Sequence, residues 1–157
     1  MFDRLTDLAT CLCRQITENG GPETCFCGVI PGDAAIQDYA GDCATGCGMA
    51  WVRLVSMMPM SGVDLQNTDP GNCSSEVGAI VEVGIMRCIG SGDQRRTAPK
   101  DAELLRATEQ QIKDALTMRQ AIACCPSIDS KDFILGAYAP MGPMGGLVGG
   151  AWSLTVI

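Results

Sequence analysis

Ten cysteines in a chain of 157 residues are the residue type most able to do chemistry here. Cys11 and Cys13 lie two apart in a helical pattern, roughly 200° around the axis from each other, so they cannot both hold one metal ion while the helix persists. Cys25-Phe26-Cys27 reads as an extended segment with two sulfurs on one side, and Cys43 and Cys47, set among glycines, could close a second pair. The pattern only loosely matches the C-x2-C or C-x4-C knuckles of structural zinc. Disulfides, a structural zinc site on Cys25, Cys27, Cys43 and Cys47, and simple buried thiols therefore all stay open. Cys73, Cys88, Cys124 and Cys125 have no obvious sequence partner, and adjacent Cys124 and Cys125 suit each other poorly.

Other reactive constellations are missing. The chain has no histidine, which excludes Ser–His and Cys–His nucleophile pairs and imidazole ligation. There is no Cys-x-x-Cys redox motif. Glu76 and Glu82 fall on one strand face about 20 Å apart, too far for a glycosidase pair, and read as a solvated face. Gly90-Ser91-Gly92 lacks the rest of a dinucleotide fingerprint, and Arg95, Arg96 and Lys100 form a short basic cluster beside Asp93 and Asp101. The expectation is a protein that is not an enzyme and needs no cofactor, structural zinc being the one exception entertained.

Eleven basic residues against eighteen acidic ones leave a net charge of −7, which argues against autonomous binding to a phosphate backbone. No apolar run reaches the roughly 20 residues of a membrane span, and Asp3, Arg4 and Asp7 interrupt any export-signal pattern. The expectation is a soluble protein made in the cytosol, with no membrane partner. Hydrophobic residues make up 46% and only seven residues are aromatic, so the core must be aliphatic.

The elements that would position these residues follow from periodicity. Residues 1–18 carry Leu5, Leu8, Ala9, Leu12, Cys13 and Ile16 on one helical face, and the helix stops at Asn19-Gly20-Gly21-Pro22. A Cys/Gly-rich loop over 20–48 follows, with a short helical turn at 33–39. A strand is expected over 49–57, a loop over 61–75, and the clearest strand over 76–88. In that strand Val77, Ala79, Val81, Val83 and Ile85 share a face; Ile80 and Met86 on the other face imply partial cover there too. After a loop over 90–98, a helix is expected over 99–124, with Leu104, Leu105, Thr108, Ile112, Ala115, Leu116 and Ile122 as its apolar side. Further strands are expected over 133–138 and 149–157, joined by a turn-rich connection over 139–150. The result is one α+β domain over 1–157: a four-stranded, mostly antiparallel sheet packed against an N-terminal helix and one long central helix.

Two methionine-rich turns stand out. Met57, Met58 and Met60, and then Met141, Met144 and Leu147, are adaptable apolar side chains suited to a partner surface, and they are the candidate interface residues.

Cys25-Phe26-Cys27-Gly28-Val29-Ile30-Pro31-Gly32 and Cys47-Gly48-Met49-Ala50-Trp51-Val52-Arg53-Leu54, with the closing Gly142-Pro143-Met144-Gly145-Gly146 and Gly149-Gly150-Ala151-Trp152, resemble a family of small virion proteins from tailed phages of actinobacteria. Such proteins sit in the neck of long-tailed phages and look like tail terminators. The resemblance implies a tail-terminator-like α+β subunit that forms a homohexameric ring. The ring would cap the tail-tube protein and join it to the head–tail connector, in virions assembled in the host cytoplasm. Genomic DNA would pass through the acidic ring without specific binding. It also favours disulfides, since virions meet oxidising surroundings after lysis. Other expectations to set beside it are a stopper or adaptor of the same neck, and a cytosolic Cys-rich metal-binding or redox protein.

Overall fold

In a computed structural model, the structure describes residues 2–19, 21, 24–32, 48–60, 76–89, 100–129, 131–144 and 146–156. Helix α1 spans Phe2–Glu18. Strands β1 (Thr24–Ile30), β2 (Gly48–Met60) and β3 (Glu76–Cys88) follow, then helix α2 (Asp101–Ala123), then β4 (Phe133–Met144) and β5 (Leu147–Val156). The expected turn at 33–39, the loops over 61–75 and 90–98, and the Arg95 and Arg96 cluster lie outside the described residues.

The five strands form one mixed sheet in the order β1-β2-β3-β5-β4. Only β1 and β2 run parallel; the other neighbours are antiparallel. The α+β class stands, and the four-stranded expectation is corrected to five. Residues 24–30, expected to belong to a loop, form the edge strand β1. Its seven residues TCFCGVI lack strict alternation because Phe26 and Ile30 join one face's core while Cys27 and Val29 pack on the other. A second correction concerns residues 139–150. Residues 139–144 continue β4 and 147–150 open β5, and just before β5 Gly146 takes a φ of 81°, a conformation that suits glycine. Pro140 and Pro143 are tolerated because β4 is an edge strand and needs no outward ladder bonds.

Both helices pack on one sheet face. From α1 the buried contributors are Leu5, Leu8, Ala9, Leu12 and Ile16, as the i, i+3, i+4 pattern requires. They meet Ala50 and Val52 of β2, Ala79, Val81, Val83 and Ile85 of β3, and Leu154 of β5. The period-2 reading of β3 is borne out by four of its odd residues, which are fully buried. The opposite face has a second cluster of Ile30, Met49, Trp51, Met86, Leu147 and Ala151. Glu82 lies on that face and is not solvated as expected. It accepts hydrogen bonds from Arg53 Nη2 at Oε2 (3.0 Å) and from the Trp51 indole at Oε1 (3.0 Å), and the Arg53 Nε lies 2.8 Å from Oε1 in the same ion pair. A carboxylate largely withdrawn from water needs such partners, and here an indole and a guanidinium supply them.

The central helix departs most from expectation. Its buried residues are Asp114, Met118, Ala121 and Ile122. Leu104, Leu105, Ile112 and Leu116, expected to face the core, are exposed.

Candidate functional site

The reason for that inversion is the set of contacts holding the inner side of α2. Asp114 receives a two-bond fork from Arg87 of β3, Nε to Oδ2 at 2.7 Å and Nη2 to Oδ1 at 2.9 Å. Gln110, one turn earlier, donates to the same Oδ1 at 3.0 Å. The Trp152 indole of β5 donates to the Ala115 carbonyl at 2.9 Å, and Gln111 donates its amide to the Gly149 carbonyl. Tyr138 of β4 stacks at a tilt on Trp152, with ring centroids 5.5 Å apart. Its hydroxyl lies beside Gln111, whose amide is committed to Gly149, so the phenol has no well-formed hydrogen bond. Burial first, and then the negative charge of Asp114, push this phenol up to about 12, with Gln111 partly opposing.

Towards its C-terminal end the helix seats Met118, Ala121 and Ile122 on α1 and the sheet, and just beyond it Cys125 is bonded to Cys11 of α1. Polar groups thus fix the middle of the helix, while small and apolar groups with a covalent tie fix its end. The Leu/Ile line is left pointing away from the sheet. Leu105, Ile112 and Leu116 are 62%, 58% and 59% exposed and form an apolar line on the outer side of the helix.

A second apolar surface lies at the far end of the β2–β3 ribbon. The register shifts between Leu54 and Ser56, and Val55 at that irregularity, Met57 and Val77 are all exposed. The extra residue turns the ribbon locally, so its end carries apolar groups outward.

Of the candidate interface residues, Met57 is exposed and Met58 is half-buried. Leu147 is corrected: it is 3% exposed and belongs to the second core cluster, against which Met141 also packs. Those two face inward because residues 139–144 and 147–150 belong to strands β4 and β5. The side chains of Met60 and Met144 lie outside the described residues.

Among the candidate metal or disulfide residues, Cys27 is bonded to Cys13 and Cys25 is also disulfide-bonded, as is Cys88. The sulfurs of the Cys-x-Cys pair are therefore engaged in disulfides. Cys43 and Cys47 lie outside the described residues, and Cys124 is a free, exposed thiol. Cys11 and Cys13, on different sides of the helix, tie α1 in two directions, one to the segment after α2 and one to β1. Among the described residues, no group of three or more Cys, Asp or Glu could hold a metal ion.

A cleft of about 390 Å³ opens beside the fork, lined by Arg87, Glu103, Arg106, Gln110, Gln111 and Asp114. Its two buried charges, Arg87 and Asp114, pair with each other. The outward line of α2 and the Arg87–Asp114 fork were both missed by the sequence reading. The signal available for them was Asp114 flanked by Gln110 and Gln111 on the side opposite Ile112 and Leu116.

Comparison with known proteins adds no relative: no family model, no curated protein and no solved structure matches this chain. No described helix is long and apolar enough to cross a membrane.

Proposed function

We propose that this protein is a structural subunit of the neck of a long-tailed phage, a tail terminator that assembles into a homohexameric ring. The observation that carries the reading is the ribbon end. Val55, Met57 and Val77 are held out on a projecting pair of strands while both faces of the sheet already have filled cores. A projecting apolar tip that seats on a different surface of the next copy makes a head-to-tail contact, and such contacts build a ring where the rotation between copies closes and an open filament where it does not. The disulfides on Cys11, Cys13, Cys25, Cys27, Cys88 and Cys125 support residence in an oxidising setting such as a released particle. The net charge of −7 supports a lumen along which DNA slides without adhering.

In this role the protein works through fitted surface. Capping the last ring of tube protein stops tube growth and offers a face to the head–tail connector. Particles assembled without the protein test this. Overlong tubes are the expected result. Tails of normal length that fail to join heads would instead make it a stopper or adaptor.

A further inference from the structure

The exposed face of α2 has an order that the ring does not use. Successive helical residues turn by about 100°, so Leu105, Glu109, Ile112, Leu116, Arg119 and Ala123 fall within about 40° of one line. Their spacing alternates four, three, four, three and four, which is the a/d seam of a helix pair. The seam is also its own complement when reversed. Residues equidistant from Asp114 along the helix are Ile112 with Leu116, Glu109 with Arg119, and Leu105 with Ala123. Asp114 itself points the other way, into the sheet, locked to Arg87.

We infer that α2 pairs with α2 of a second copy of this chain, antiparallel about a two-fold axis close to residue 114. Each Ile112 packs on the partner's Leu116 at the centre. Outside these apolar layers each Glu109 meets the partner's Arg119, and each Leu105 covers the partner's Ala123. In antiparallel pairs an a position faces a d position, which this register satisfies in every layer. A parallel pairing would set Glu109 against Glu109 and Arg119 against Arg119, so the charges select the antiparallel form. Lys113 flanks the axis and approaches its own copy at the solvent-exposed rim, a mild cost that salt screens. The seam is about 27 Å long, at the small end for a specific interface, so the pair is weak and depends on concentration.

A two-fold contact cannot propagate a ring of single polarity, so this pair describes the free subunit and stands apart from the ring proposal. The test is sedimentation equilibrium in a Met57→Asp, Val77→Asp background, where ribbon-mediated assembly is removed. A monomer–dimer equilibrium is expected. Glu109→Arg alone and Arg119→Glu alone should each weaken it about tenfold or more, since each creates two like-charge layers. Mixing the two single variants should restore the pair as a heterodimer, and so should combining both changes in one chain. Both sites are exposed, and circular dichroism checks that the fold is kept. Single variants that dimerise like their parent would overturn the inference, as would a mixture that fails to restore association.

Discussion

Arg87 on β3 and Asp114 on α2 meet in a two-bond fork at 2.7 and 2.9 Å, with both side chains less than a tenth exposed. This pair sets which side of α2 faces the sheet. Asp114→Ala removes the carboxylate bonded to this buried guanidinium and is expected to cost about 3–5 kcal/mol in urea unfolding with disulfides intact. Replacing both residues with apolar ones of similar size should cost less than the two single changes added together. A loss under about 1 kcal/mol for Asp114→Ala would mean the fork does not position the helix.

Gly84 on β3 sits against the Trp51 ring, and a Cβ built there would collide with the Cζ2, Cε2 and Cη2 atoms of the indole. Gly84→Ala therefore has to displace a fully buried tryptophan whose nitrogen is bonded to Glu82. The expected loss is about 1–3 kcal/mol, with a shift in tryptophan emission. Unchanged stability and emission would show that Trp51 has room to move.

Tyr138 ties stability to alkaline pH. A free tyrosine ionises near 10 and this one near 12, so between those values the unfolded chain gives up a proton that the folded chain keeps. The contribution is fully present below pH 10 and is lost as pH rises towards 12. Unfolding measured at pH 8 and pH 11 should show a smaller alkaline loss for Tyr138→Phe than for the unaltered protein. Equal losses would count against the buried, Asp114-facing phenol.

The two described disulfides close loops of very different length, with sequence separations of 114 for Cys11–Cys125 and 14 for Cys13–Cys27. Chain entropy alone gives about 5 kcal/mol for the first and about 3 kcal/mol for the second. Paired serine substitutions should follow that order in denaturant midpoints. Intact mass should rise by two hydrogens for each bond reduced, and no rise on reduction would remove the disulfides from the account.

Much of the framework was legible because it rests on periodicity. The α1 face and the alternation of β3 each bury one residue set, and both reappear in the core. What escaped depends on tertiary partners. The α2 sequence offers a Leu/Ile side and a side bearing Asp114, Gln110 and Gln111; hydrophobicity alone puts the first inward. The structure puts the second inward because Arg87, Trp152 and Gly149 supply partners from distant strands. Residues 139–150 looked like a loop because glycine and proline usually punctuate, but an edge strand tolerates proline and β5 accepts glycine at close approach. Glu82 looked solvated because its partners, Arg53 and Trp51, come from another strand. For the cysteines, the helical geometry of Cys11 and Cys13 was readable, whereas the choice of Cys125 and Cys27 as partners was not.

The central claim is assembly through the ribbon end, and native mass spectrometry of the purified, oxidised protein tests it most directly. The account predicts a hexamer, or a multiple of it, for the unaltered chain, and nothing larger than the α2-linked pair for Met57→Asp with Val77→Asp. A chain that stays monomeric at every concentration, or a variant that assembles like its parent, would contradict it.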